Sequence, residues 1–128
     1  MTVAENLHPV HIWLEDDILH CSFDPHTKVT IDIAKYMVSK RMEIAGNKLH
    51  PICGDYRNVS YLDKEARDYF SSEEGQTNLT AGALIINSSL TKVIVNFYLT
   101  LTKPRLPARM FTDLKEATSW LEQYKNKP

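Results

Sequence analysis

Apolar residues recur along this chain in two rhythms, and the switches between them mark its elements. Residues 10–14 and 18–22 are short runs rich in β-forming residues, separated by Glu15-Asp16-Asp17, the mark of an opening hairpin. Asp24-Pro25-His26 supplies turn chemistry. A helical period follows over 31–45, with Ile33, Met37, Lys40 and Ile44 on one face and Tyr36 beside them. Gly46 stops it, because glycine accepts the left-handed conformation that closes a helix.

Residues 49–54 form the next strand. A polar stretch then leads to Asp63, which caps a helix with the stripe Leu62, Ala66, Tyr69 and Phe70. After a loop at 75–78, residues 81–86 form a continuous apolar run, as expected of a strand buried on both faces. Asn87-Ser88-Ser89 provides capping residues for a helix with Leu90, Val93, Ile94, Phe97, Tyr98 and Leu101 in register. Past the extended connector 103–107, residues 109–111 form a short strand. Asp113 and Glu116 then open a last helix as a capping box, with Leu114, Ala117, Trp120, Leu121 and Tyr124 facing inward. The order is β-β-α-β-α-β-α-β-α. It predicts one α/β domain over 1–128 with a mixed, largely parallel sheet and an antiparallel edge strand.

Composition narrows the function classes. Fifteen basic and sixteen acidic residues leave a net charge of −1, which argues against a strongly basic nucleic-acid binder. Residues 1–10 lack a basic region followed by an apolar run, and no stretch approaches the roughly 20 residues of a membrane span, so a cytoplasmic location is expected. Cys21 and Cys53 lack CxxC spacing and read as free, buried thiols. No phosphate-binding glycine pattern is present, and no cofactor or metal is assigned. His11 and His20 would face one another across the hairpin if its loop were Glu15-Asp16; an exposed polar sheet face is the other reading.

The most informative stretch is 51–66, where a buried strand ends in Asp55-Tyr56-Arg57-Asn58-Val59 and a helix opens at Asp63-Lys64-Glu65. In open α/β sheets, such strand-to-helix junctions are where ligands and partners dock. Together with 83–88, Asn96-Phe97-Tyr98, and 109–113 followed by Glu116-Ala117 and Trp120-Leu121, this stretch resembles the SpoIIAA-like proteins of the STAS group (sulfate transporter and anti-sigma-factor antagonist). The resemblance implies a non-enzymatic regulatory or protein-interaction module. In anti-sigma-factor antagonists a phosphorylatable serine opens the helix after the matching aspartate; here Lys64 stands there, so the resemblance implies a scaffold without its switch.

The contact surface expected on this basis comprises Asp55, Tyr56, Arg57, Asn58, Asp63, Lys64, Asn87, Ser88 and Ser89. Its occupant is an unknown protein partner or a small apolar or anionic ligand. The alternative function is a small-molecule or lipid carrier of the CRAL-TRIO type, with Met37, Met42 and Met110 lining an adaptable pocket. Catalysis would need Asp55, Arg57 and a hydroxyl from 87–89 to converge. A homodimer is a further expectation, because an edge hairpin leaves unpaired backbone groups and Ile12 and Trp13 can cover apolar surface.

Overall fold

The computed structural model describes residues 8–87 and 106–125. Asp16 and Asp17 both take positive φ, 53° and 62°, the signature of a two-residue type I′ turn whose twist matches the strands it joins. This turn joins β1 (Val10–Glu15) to β2 (Ile18–Phe23) and sets Glu15 opposite Ile18. Trp13 therefore opposes His20, and His11 opposes Ser22. His11 and His20 do not face one another, because the loop is Asp16-Asp17 rather than Glu15-Asp16. The His11 ring instead lies 2.8 Å from the Asp24 carboxylate, and Trp13 stacks on His20 with ring centroids 5.3 Å apart. Among the described residues no cluster of three or more His, Cys, Asp or Glu is placed to hold a metal ion.

β4 (His50–Asp55), β6 (Leu79–Ile85) and β7 (Ala108–Phe111) complete a five-stranded sheet of order β1-β2-β4-β6-β7. Only the β1–β2 pair is antiparallel. The mixed, mostly parallel α/β sheet expected from the sequence is present. Two strands were not expected. β3 (Thr27–Val29) and β5 (Val59–Leu62) pair in parallel as a small second sheet. Both are too short to show a period, and they hold together through long-range ties. Thr27 N–H donates to Asn58 O, Asp63 N–H to Val29 O, and the Ser60 hydroxyl to Thr27 O.

Three helices are described: α1 (Ile31–Ala45), α2 (Lys64–Phe70) and α3 (Leu114–Leu121), the last running into a 3-10 turn at Glu122–Tyr124. Each begins on the cap its sequence offers: Thr30, Asp63 and Asp113 accept from the N–H groups of Ile33, Ala66 and Glu116. Gly46, at φ 65°, closes α1 with its N–H on Met42 O. The helix predicted over 90–101 lies outside the described residues.

α1 is rotated from its expected face. The buried stripe is Ala34, Met37, Val38, Arg41 and Ala45, while Ile33, Lys40 and Ile44 are half-buried. The small Ala34 and Ala45 let the helix axis approach its neighbours closely, and the larger Ile33 and Tyr36 pack at its flank. α3 keeps Ala117 and Leu121 fully buried, but Leu114, in its first turn, is 48% exposed and lines a groove rather than the core.

The core has two parts. One, including Val10, Phe23, Val29, Ala34, Met37, Tyr56, Val59, Leu62 and Ala66, joins α1, α2, the small sheet and one face of the large one. The other, Ile18, Cys53, Ala81, Ala83, Ile85, Ala117 and Leu121, lies between the opposite face and α3.

Candidate functional site

β2, β4, β6 and β7 run in the same direction, so their carboxyl ends share one edge of the sheet. Most of the residues singled out in the sequence lie there. Asp55 ends β4, and Arg57 turns back on it with Nε 3.0 Å from one carboxylate oxygen and Nη2 2.8 Å from the other. The Arg57 N–H donates to the same carboxylate at 3.1 Å. Partial burial alone would raise the Asp55 pKa, but these hydrogen bonds outweigh it and hold the carboxyl below its ordinary range. A carboxylate engaged through both oxygens is poorly suited to carry protons at neutral pH.

The loop is fixed from beneath on three sides. Tyr56 N–H donates to Ile85 O at 2.9 Å, the Asn58 amide to Phe23 O at 3.0 Å, and the Asn87 amide to Arg57 O at 3.1 Å. Asp55, Arg57 and Asn87 are thus one hydrogen-bonded group, and Asn58, next in the chain, ties the loop to β2 instead. Asp113 adds its charge to the field at Arg57. Asp63 and Lys64 stand at the far end of β5: Asp63 is spent on its cap, and the exposed Lys64 reaches Asp68 at 2.8 Å, one helical turn on. Tyr56 does not belong to this surface. It is 7% exposed, tilts against Phe23, and lies so close over Gly54 that a Cβ there would sit 2.7 Å from its ring. Ser88 and Ser89 lie outside the described residues.

Hollows open on both faces of the sheet. On the α3 side, an open groove of about 570 Å³ runs between the hairpin and the first turns of α3, with Trp13, His20, Asp55 and Asp113 among its walls. Burial lowers the His20 pKa against the raising pull of Glu15, so the ring under Trp13 favours its neutral form. On the α1 side, a cavity of about 120 Å³ lies between α1 and strands β4 and β6. Among the described residues its wall is mostly apolar, with Arg41 and Gln76 as its charged and amide side chains. Of the three methionines expected to line a pocket, Met37 does; Met42 and Met110 are not among its walls.

Neither Arg41 nor Gln76 stands out in the sequence, although one signal was there. An arginine sits in line with Ala34, Met37, Val38 and Ala45, at the spacing of a buried stripe. The two thiols are buried and free, and burial pushes both up to about 12, so they are inert at neutral pH.

Residues 12–125 match the model of a domain family of unknown function, DUF7793. The chain belongs to that family. Among solved structures it is similar to an uncharacterised protein of the DUF3478 family from Shewanella loihica PV-4, a crystal structure with a SpoIIAA-like fold. That likeness has a TM-score of 0.66 at 21% identity and covers 94% of this chain and 98% of the other. The DUF7793 domain therefore has a SpoIIAA-like fold, as the sequence resemblance implied. No curated protein matches the chain. Among the described residues no helix is long and apolar enough to cross a membrane.

Proposed function

We propose that this DUF7793 domain is a non-enzymatic, cytoplasmic interaction module that presents the β4–β5 junction to a protein partner. The observation that carries the reading is a contrast within the junction. Its backbone is tied down by Asp55, Phe23, Ile85 and Asn87, while the side chains of Arg57, Tyr61 and Lys64 face solvent. A surface ordered before binding loses less entropy when a partner docks. Tyr61, 54% exposed, adds a large apolar contact of the kind that anchors interfaces. Lys64 opens α2 directly after the cap Asp63 and carries no hydroxyl, so this module is constitutive at that position and has no phosphoswitch there.

The test is capture of partners on immobilised protein, wild type against the triple variant Arg57→Ala, Tyr61→Ala, Lys64→Ala. The variant should keep its melting temperature within a few degrees and lose its partners. Full retention of every partner by a folded variant would place the contact surface elsewhere. The edge strand β1, with Trp13 and Leu14 about two-fifths exposed, offers a second contact through which two copies would pair. Light scattering on Trp13→Ala against wild type reads that pairing.

The cavity beside α1 favours a second reading, a carrier of a small guest. About 120 Å³ of largely apolar space compares with the ~150 Å³ engineered cavity that stays dry and takes up benzene. Native mass spectrometry against the denatured mass tests it. Extra mass lost on denaturation supports a carrier; a clean mass leaves the interaction module alone.

A further inference from the structure

Among the described residues, the wall of the cavity beside α1 holds one charged group. Arg41 is 3% exposed, and no carboxylate among the described residues lies within ion-pair distance of it. Its Nη1 donates to Thr77 O at 2.6 Å and its Nη2 to Gly75 O at 2.9 Å; Nη1 also approaches the Met42 sulfur at 3.9 Å. Among the described residues, the ionisable neighbours whose fields reach it are the Cys21 thiol and the Tyr69 phenol. Burial leads the upward shift of both, to about 12, so neither supplies a negative charge at neutral pH. A guanidinium has five N–H donors, and the carbonyls occupy two of them. Beside it stands Gln76, whose buried Oε1 has no hydrogen-bond partner among the described residues. Proteins seldom leave a buried charge without a counter-charge, because desolvation costs several kcal/mol.

We infer that this cavity is a binding site for a small organic monocarboxylate, with the carboxylate on the Arg41 guanidinium and the apolar body between Met37, Val38, Ile52 and Leu84. The inference rests on the carrier reading and adds the charge and size of the guest. Arginine is the natural receptor for a carboxylate, since its planar fork offers two parallel donors. Gln76 extends the polar end, because turning its amide by 180° exchanges the oxygen for an NH2 donor. The space suits a body about the size of a benzene ring or a six-carbon chain. Gly82 keeps it open: it lines the cavity, and a Cβ there would meet no heavy atom closer than 3.8 Å.

Titration calorimetry with hexanoate, benzoate, hexanol and hexylammonium decides the matter. Wild type should bind the two carboxylates at least roughly tenfold more tightly than hexanol, the scale set by hydrogen bonds to a charged group, and should not bind hexylammonium. Arg41→Met should erase the preference while hexanol still binds. If that variant does not fold, Arg41→Lys takes its place, and its carboxylate affinity should fall by a smaller factor. Gly82→Val, which narrows the cavity at a position where a Cβ has room, should fold and bind none of the four. Equal binding of hexanol and hexanoate by wild type would overturn the anionic site and leave the carrier reading standing. Failure of wild type to bind any of the four would overturn both. Carboxylate binding that survives Gly82→Val unchanged would place the guest outside this cavity.

Discussion

The two faces of the five-stranded sheet are packed by different means, and β6 shows both. Toward α3 it presents Ala81, Ala83 and Ile85, all fully buried, against Ala117 and Leu121. The alanines on both elements bring helix and strand close together, and Ile85 and Leu121 fill the remainder. Toward α1 the same strand presents Gly82 and Leu84, and about 120 Å³ remains unfilled. Both faces are apolar, so hydrophobicity does not separate them. Side-chain volume does: at β6 one face is packed shut against α3, whose own groove lies farther toward the hairpin, and the other is left open.

The largest effect should come at the end of the open face, where the turn after α2 seals it. A Cβ on Gly75 would sit 2.0 Å from the Tyr69 carbonyl oxygen. Gly75→Ala should cost about 3 kcal/mol in urea unfolding, the upper end for an ordinary single substitution. It should also disturb Arg41, which bonds the Gly75 carbonyl. On the closed face, Ala117→Leu forces extra methylenes into filled space and should cost about 2 kcal/mol. If Leu is accommodated there at no cost, the closed wall has slack and the contrast between the faces fails.

The Asp55–Arg57 pair lies at the sheet edge where the two faces meet, and its effect should be smaller. The folded Asp55 pKa is depressed, so its contribution is present above the unfolded value of about 3.9 and lost as pH falls through the folded one. Arg57 is nearly half exposed, and solvent screening limits the contribution to about 0.5 kcal/mol. Asp55→Asn should therefore lower stability by that amount at pH 7 and leave it unchanged near pH 2, as read by paired denaturant melts. Smallest of all should be Gly82→Ala on the open face. Its Cβ has room, and removing a strand glycine restricts the unfolded chain, so stability should hold or rise by up to about 0.5 kcal/mol. A loss above about 1 kcal/mol would mean that the cavity is not open at Gly82.

Much of the fold was legible in the residues. α1 spans the predicted 31–45, and the strands at 50–55, 79–85 and 108–111 fall within a few residues of their runs. Asp63 and Asp113 cap where their short acceptor side chains precede an apolar stripe. The polar edge was legible in part. Asp55, Arg57, Asn58 and Asn87 do come together, whereas Tyr56, equally conspicuous in the sequence, folds under the loop to roof Gly54. An aromatic ring in a junction reads the same whether it points out or in, and only the packing of Phe23 and Gly54 beneath it settles the direction.

By itself the sequence determined what is local: periods, caps, the glycine that closes α1, and the charge balance. These depend on neighbours three or four positions away, and they survive in any tertiary setting. The tertiary structure alone decided the rest. β3 and β5 exist because distant segments satisfy each other's backbone groups, and the hairpin register exists because two aspartates accept positive φ. The cavity exists because Gly82 on β6 falls opposite α1 and leaves the space of a side chain unfilled. Arg41 became its buried charge only when the carbonyls of Gly75 and Thr77, more than thirty residues away, closed over it.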